Sequence, residues 1–173
     1  GMVVIADNRG PQAIGGIMGG AESGCSPETT EVFLEVALFD PIQVARTGRK
    51  LGIQSDARYR FERGVDPKSA SWGVDVATAL ILELCGGEAS EVTAAGTLPK
   101  GSRTIGYRPA RVESLGGCVV ATEKQRQFLE LLGFTVTANS TASWQVATPT
   151  WRPDVEGEAD LVEEVLRVNS FDA

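Results

Sequence analysis

Apolar and polar residues alternate along the first third of the chain in a way that predicts short strands. The stretch MVVIAD, residues 2–7, is an apolar run that ends in polar residues, and PQAIGGIMGG, residues 11–20, runs into paired glycines. TEVFLEVALF, from Thr30 to Phe39, places apolar side chains at every second position, which is the period of a half-buried strand. We therefore expect three strands before residue 40.

Helix signals follow at once. Asp40 and Pro41 are an N-cap residue and a first-turn proline, and Gly52 predicts the end of the helix that they begin. A longer helix is expected after Asp66–Pro67, with Gly86–Gly87 as its end. Its apolar face is expected to consist of Trp72, Val76, Leu80 and Leu84.

A second patterned region begins after TLPKGSRT, residues 97–104, whose proline, glycine and small polar residues indicate a boundary. We therefore predict one domain over residues 1–100 and a smaller one over residues 101–173. The smaller domain should hold a strand, a short helix from Pro109 to Gly116, a second helix, a hairpin around Asn139–Ser140 and a last helix. Thr122 and Gln125 predict a capping box for the second helix, which Gly133 ends.

The helices and strands together predict a mixed α/β (α+β) fold. Three helices with a small β-ribbon in the second domain resemble winged-helix architecture.

Composition excludes several classes of site. The chain of 173 residues has no histidine, so a self-contained Ser-His-Asp triad, a histidine-ligated zinc and an imidazole base are all excluded. Cys25, Cys85 and Cys118 lack metal-type spacing and are expected to be free thiols in a reducing cytosol. No apolar run approaches the roughly 20 residues of a membrane span, and the start does not read as a signal peptide.

Charge is distributed unevenly. The net charge of -7 argues against a surface that grips a phosphate backbone as a whole. Between residues 46 and 63, however, the chain has six basic residues and only two acidic ones, Asp56 and Glu62. This local excess of positive charge calls for a function or for internal partners.

The segment WRPDVEGEADLVEEV, residues 151–165, concentrates carboxylates at the start of the last helix. If the helix begins near Gly157, one side of it holds Asp160, Glu163, Glu164 and Arg167, and apolar residues take the other. One interpretation is a solvated face with acids favoured by the helix dipole. The other is an all-oxygen site, with Asp154 folding back over the face, suited to Mg²⁺ or Ca²⁺. The pattern does not decide between them.

Three stretches together resemble one family. They are GIMGGAESG (residues 16–24), FLEVALFDP with ARTGRKLGIQSDARYRFERGVDP (within residues 33–67), and WRPDVEGEADLVEEVLRV (residues 151–168). In this order they are similar to the central part of the β subunits of bacterial phenylalanine–tRNA ligases, over nearly the whole chain. The resemblance implies that residues 1–100 are part of a B3/B4 editing domain, whose first portion is expected to lie upstream. It implies a winged-helix-like B5 domain over residues 101–173.

The resemblance also bears on the acidic segment. The family's β-subunit Mg²⁺ ligands follow the pattern D-x5-D-x2-E-E, which Asp154, Asp160, Glu163 and Glu164 match. In the family the ion is shared with the α subunit. A shared ion makes physical sense, because four clustered acids without a counter-charge would be costly once a partner covers them.

For editing, the resemblance assigns four residues. Glu35 matches the glutamate that recognises the tyrosine hydroxyl of mischarged Tyr-tRNA, and Gly19, Ser55 and Ala57 match positions that line the same pocket. The alternatives are a solvent-facing Glu35, a tight turn at Gly19, a simple N-cap at Ser55 and an ordinary small residue beside it at Ala57. A family histidine near the site would fall upstream of this chain.

Arg58, Arg60 and Arg63 lie beside the pocket residues in sequence and are candidates for holding the tRNA acceptor end or its phosphates. Pairing inside the chain, with Asp56, Glu62 or Asp66, is the alternative.

By the resemblance, the intact enzyme is a cytoplasmic heterotetramer of two α and two β subunits. It attaches phenylalanine to tRNA(Phe) with ATP, and its B3/B4 domain hydrolyses Tyr-tRNA(Phe). The other hypotheses are a non-catalytic nucleic-acid-binding or scaffold module and an unrelated Mg²⁺-dependent hydrolase.

Overall fold

The computed structural model describes residues 1–99, 101–138 and 140–170. Contacts divide the chain into two compact units, Gly1–Leu98 and Pro99–Ala173. In the described residues, two small antiparallel sheets and six helices confirm the predicted mixed α+β class. Within those residues, no helix is both long and apolar enough to span a bilayer.

The first unit opens with a three-stranded antiparallel sheet. Its strands are β1 (Val4–Asp7), β2 (Gly10–Ile14) and β3 (Met18–Gly19), in the order β1-β2-β3. The turn between β2 and β3 is closed by a hydrogen bond from the Ile17 N–H to the Ile14 carbonyl. Gly16 in this turn has a φ of 68°, which favours glycine because a Cβ would be strained there. The strand predicted in residues 2–7 is confirmed as β1. The stretch predicted over residues 11–20 is confirmed as a hairpin of two strands, β2 and β3.

Three helices complete the first unit: α1 (Pro41–Leu51), α2 (Asp56–Phe61) and α3 (Ser69–Cys85). The Asp40 carboxylate accepts a hydrogen bond from the Gln43 N–H at 2.8 Å, and Gly52 ends α1 with a φ of 66°. The start and end predicted for α1 are thus confirmed. No helix was predicted over residues 56–61, where the structure has α2, a helix of only six residues.

One expectation for the first unit is wrong. Residues 30–39, all of which the structure describes, form no strand, because alternation only marks a face and a strand also needs a hydrogen-bonded neighbour. The long helix predicted after Asp66–Pro67 is confirmed as α3, with Gly86 as its C-cap, and its apolar face is exposed: Trp72, Val76, Leu80 and Leu84 retain 56%, 58%, 52% and 73% of their accessible surface. None of the residues of α3, described throughout, is buried.

The second unit combines three helices with a sheet. In chain order its elements are β4 (Thr104–Tyr107), α4 (Arg111–Gly116), α5 (Thr122–Leu131), β5 (Thr135–Ala138), β6 (Trp144–Ala147) and α6 (Glu158–Asn169). The sheet is antiparallel with the order β4-β6-β5, so the predicted hairpin of β5 and β6 is confirmed, while Asn139 at its tip lies outside the described residues.

A continuous hydrophobic core fills this unit, with Tyr107, Val112, Leu129, Val146 and Leu161 fully buried. One face of the sheet and the three helices contribute to it, as expected for a small domain built around one core.

The capping box predicted for α5 is wrong. Ala121 occupies the N-cap position, and no side chain caps the helix there. Gln125 is instead buried, where it accepts a hydrogen bond from the Tyr107 hydroxyl at 2.7 Å and donates to the carbonyls of Val120 and Pro109. A buried amide satisfies its hydrogen bonds wherever partners are closest, and here those partners are not the helix end.

Candidate functional site

Ser55 joins α2 to the β2–β3 hairpin. Its hydroxyl donates to the Ile17 carbonyl at 2.6 Å and accepts from the Arg58 N–H at 3.1 Å. The second bond is that of an N-cap, as the simpler interpretation of Ser55 expects. The first spans 38 residues of sequence and holds the hairpin immediately before Met18 and Gly19. The structure therefore brings Ser55 next to the strand that carries Gly19.

The hairpin turn also rests on aromatic rings. A Cβ at Gly15 would lie 2.7 Å from Cε1 of Phe39, and one at Gly16 would lie 2.9 Å from Phe39 and 3.1 Å from Phe61. The two rings pack edge to face with their centroids 5.2 Å apart. Only glycine permits this approach, so the turn, the segment ending at Phe39 and the end of α2 form one contact group.

Gly19 itself is not required by the backbone or by packing. Its φ lies outside the left-handed region, and a Cβ built there would meet no atom within 4 Å among the described residues. The tight turn that was the alternative for Gly19 is made by Gly16 instead. A glycine in a strand with open space beside it leaves room for a ligand or for another part of a protein.

Glu35 forms no hydrogen bond or ion pair among the described residues. The residue is exposed overall, yet partial burial of its carboxyl group raises the pKa above the ordinary value. Its neighbour Val36 lies 3.4 Å from the position of a Cβ on Gly73 of α3. Glu35 lies four residues before Phe39, whose ring contacts the hairpin turn.

Ala57 lies in the first turn of α2 and is exposed. Of the four residues assigned to the editing pocket, Ser55 is hydrogen-bonded to the residue before the strand of Gly19, and Ala57 follows Ser55 by two residues on α2. Glu35 lies on the neighbouring segment, with a free carboxylate.

Arg58 is buried and bound within the chain. Its Nη1 donates to the Ile53 carbonyl at 2.6 Å and its Nε to Glu62 at 3.0 Å, and only 7% of the residue is exposed. A Cβ at Gly48 would lie 2.2 Å from Nε, so α1 packs directly on the guanidinium. This is the internal pairing that the sequence left open as the alternative to tRNA contact.

Arg60 and Arg63 differ from Arg58 because both are exposed. The Arg63 guanidinium lies 3.7 Å from the ring centroid of Tyr59 and pairs with Glu62 at 3.5 Å. Arg60 makes no side-chain hydrogen bond or ion pair within the part of the chain that the structure describes. Arg60 therefore remains available to an anionic partner, whereas Arg63 is engaged inside the chain, also by a hydrogen bond to the Tyr59 carbonyl at 2.8 Å.

The acidic segment of the second unit surrounds an arginine. Arg152 donates from Nη1 and Nη2 to the two oxygens of Glu164 at 3.1 and 3.0 Å, and from Nη2 to Asp154 at 2.6 Å. Arg167 donates to Glu164 at 2.6 Å from the other side. The hydrogen bonds from Arg152, and then from Arg167, lower the pKa of Glu164, and those from Arg152 lower the pKa of Asp154.

Asp160 and Glu163 are engaged differently. The Asp160 carboxylate accepts the backbone N–H groups of Glu156 and Gly157, both at 2.8 Å, and so closes the start of α6. Glu163 is exposed on the next turn. An acid that caps its own helix satisfies N–H groups that would otherwise lack partners.

The four carboxylates have donor chemistry that suits a hard cation, but their arrangement does not fit one. Two of them are bound by Arg152 and one caps its helix. Across the described residues, no group of three or more acidic or cysteine side chains gathers to hold a metal ion. In this structure, the negative charges of Asp154 and Glu164 are compensated by arginines of the same chain, Arg152 and Arg167.

Sequence reasoning missed Arg152 as the counter-charge of this cluster. The signal was present, because Arg152 precedes Asp154 by two residues and Arg167 follows Glu164 by three. It also missed the tether of Ser55 to Ile17, for which a single sequence holds no signal.

Comparison with known proteins accounts for both units. Residues 1–86 match the model of the B3/4 domain, and residues 105–171 match that of the tRNA synthetase B5 domain.

Curated relatives match almost the whole chain. The phenylalanine–tRNA ligase beta subunit of Novosphingobium aromaticivorans is 55% identical over 172 residues, and those of Paramagnetospirillum magneticum and Rhodospirillum rubrum are 54% and 53% identical. Each match covers 99% of this chain and 21% of the relative. The chain therefore belongs to the family of phenylalanine–tRNA ligase beta subunits, of which it spans about a fifth.

Proposed function

We propose that this chain is the part of a phenylalanine–tRNA ligase β subunit that takes part in hydrolysis of mischarged Tyr-tRNA(Phe). The observation that carries the proposal is the match of both domains, in order, to beta subunits of this ligase at 53–55% identity. The intact enzyme would attach phenylalanine to tRNA(Phe) with ATP in the cytoplasm, as an assembly of two α and two β subunits.

The site for hydrolysis would be formed by Gly19, Glu35, Ser55 and Ala57. The free carboxylate of Glu35 supports this role, because a carboxylate without an internal partner is available to accept a hydrogen bond from a tyrosine hydroxyl. A site that binds a hydroxyl in this way rejects phenylalanine strongly, since its polar group would be left unpaired. Open space beside Gly19 supports a pocket at this position.

The chemistry expected of these residues is selection and positioning rather than proton transfer. Water would attack the ester that links tyrosine to the tRNA, and the pocket would hold that ester in place. Arg60 and Arg63 would contact tRNA, whereas Arg58 would support α2 from inside.

Replacing Glu35 by Ala in the full-length ligase, expressed with its α subunit, tests the role of Glu35. We expect Tyr-tRNA(Phe) to accumulate while phenylalanine attachment stays at the wild-type rate. Glu35→Gln keeps the size of the side chain and separates loss of charge from loss of volume. Wild-type deacylation of Tyr-tRNA by both variants would refute the role.

For the acidic segment, we propose that Asp154, Asp160, Glu163 and Glu164 contribute to an Mg²⁺ site shared with the α subunit. The family pattern and the oxygen donors support this. The arrangement in this chain requires Arg152 to leave Asp154 and Glu164 first. Metal analysis of the two-subunit enzyme, with Glu163→Gln against wild type, tests the proposal, and an equal Mg²⁺ content in both would refute it.

A further inference from the structure

We propose that Ser55 is a positioning residue of the editing pocket, whose hydroxyl fixes the place of Gly19 by holding the Ile17 carbonyl. This inference rests on the editing function proposed above. It assigns Ser55 a role different from direct contact with the substrate, because the hydroxyl proton is already committed inside the chain.

The number of hydrogen bonds that a serine can donate and accept shows why the hydroxyl proton of Ser55 is committed. A hydroxyl has one proton to donate and two lone pairs to accept with. In Ser55 the proton goes to the Ile17 carbonyl at 2.6 Å, and one lone pair receives the Arg58 N–H at 3.1 Å. A substrate could therefore receive a hydrogen bond from Ser55 only if the tether to Ile17 broke.

The hydrogen bond from Ser55 attaches to the residue directly before a very short strand. Ile17 is 2% exposed, and its carbonyl lies one residue before β3, the two-residue strand Met18–Gly19. Among the described residues, two ladder pairings, Ala13 with Gly19 and Ile14 with Met18, hold β3 to β2. The other local bonds are the turn bond from the Ile17 N–H to the Ile14 carbonyl and one from the Ser23 hydroxyl to the Gln12 carbonyl. So short an edge strand has little ladder of its own, and the bond from Ser55 is the one that fixes its first end relative to α2.

The anchor is itself fixed. Arg58, three residues after Ser55, is buried against Gly48 of α1 and bound to the Ile53 carbonyl and to Glu62. Since α2 is held in this way, a bond from its N-cap residue transmits a defined position to the hairpin. Ser55 thus sets the distance between Ala57 on α2 and Gly19 on β3.

The experiment uses the full-length ligase with its α subunit and the variants Ser55→Ala and Ser55→Thr. Two readouts are measured: amide hydrogen exchange of residues 14–20 in the free enzyme, and kcat and KM for hydrolysis of Tyr-tRNA. In Ser55→Ala, we expect exchange over residues 14–20 to rise about five- to tenfold, the factor that corresponds to one net hydrogen bond. Hydrolysis should fall with it, and Ser55→Thr should restore both because its hydroxyl remains.

A matched control separates the tether from the helix cap. Asp40→Ala removes an N-cap of the same kind from α1, whose bond to the Gln43 N–H stays within its own helix. It should leave the exchange of residues 14–20 unchanged. If Ser55→Ala does not fold, Ser55→Gly replaces it, because glycine is tolerated at an N-cap but still lacks the hydroxyl.

Three outcomes would overturn the proposal. The first is slower hydrolysis by Ser55→Ala with wild-type exchange over residues 14–20, which would mean that Ser55 contacts the substrate directly. The second is raised exchange with unaltered hydrolysis, and the third is no change in either. The Glu35→Ala variant is measured alongside: if it hydrolyses Tyr-tRNA normally, the editing function fails, whereas the exchange result still reports on the tether alone.

Discussion

Replacing Arg152 by Met tests whether the ion-pair cluster stabilises the second unit. The change removes the guanidinium but keeps an apolar stem of similar length. Glu164, whose side chain is 9% exposed, would lose both bonds from Arg152 and keep only the one from Arg167. The other partner, Asp154, is 60% exposed, so water can replace the arginine there.

The two losses have different magnitudes. Removing one partner of a fully buried ion pair costs about 3–5 kcal/mol, because the remaining charge is left without compensation. Arg167 still compensates part of the charge of Glu164, and the Arg152 side chain is itself 21% exposed. We therefore expect the free energy of unfolding of the second unit to fall by about 2–3 kcal/mol. The exposed pair with Asp154 accounts for no more than about 1 kcal/mol of this.

Urea unfolding followed by tryptophan fluorescence measures the effect, since Trp144 is 3% exposed in the core of this unit. Asp154→Asn serves as a control with an expected loss of about 0.5 kcal/mol. The double variant Arg152→Met with Glu164→Gln should recover part of the loss of Arg152→Met, because it removes the unpaired charge.

The pH dependence gives an independent check. The pKa of Glu164 is lowered in the folded chain from an ordinary value of 4.5, so its ion pairs contribute stability above pH 4.5. That contribution is lost as the pH falls through the lowered pKa. The difference between wild type and Arg152→Met should therefore shrink below pH 4.5. A loss under about 0.5 kcal/mol at pH 7, or a difference that stays constant down to pH 3, would refute the reasoning.

Further predictions concern both units. Gly48→Ala places a methyl group against Arg58 and should destabilise the first unit by about 1–2 kcal/mol in thermal unfolding, despite the better helix propensity of alanine. Gln125→Leu leaves the buried Tyr107 hydroxyl without its acceptor and should cost about 2–4 kcal/mol in urea unfolding; a neutral effect would mean that water enters the site. Leu80→Lys should change the stability of this chain by less than about 0.5 kcal/mol while it lowers binding of an apolar dye, because Leu80 is 52% exposed.

Local signals predicted those elements that are determined by residues close in sequence. Asp40, Pro41 and Gly52 specify the start and end of α1 because capping and positive φ are properties of a few consecutive residues. The alternation in residues 30–39 led to a wrong prediction, because a strand needs a hydrogen-bonded neighbour, and a single sequence does not identify that neighbour. The capping box predicted with Gln125 was wrong for the same reason, since the fold of the second unit brings other hydrogen-bond partners to Gln125.

For the candidate sites, residue identity came from resemblance and geometry from the structure. The pattern of acids in the last helix is the same whether a metal or an arginine compensates it, so only coordinates distinguish the two. In this chain the compensation comes from Arg152 and Arg167. Ser55 likewise reads as an N-cap in sequence, and its bond to Ile17 requires the hairpin to be placed beside α2.

The two units differ in how much of their apolar surface they bury, and this difference bears on how the first unit functions. The second unit has a core of fully buried side chains, whereas the buried side chains described in the first are few: Ile17, Val44, Thr47 and Arg58. Phe33 is 91% exposed, and the apolar face of α3 is also exposed in the same unit. An apolar helix with no buried residue gains little from folding alone, because hydrophobic stabilisation scales with the area removed from water. The residues on α2 and β3 that are proposed to form the pocket are therefore held by a few specific bonds and glycine contacts rather than by a large core. For this reason, loss of the single hydroxyl at Ser55 should loosen the attachment of β3 to α2.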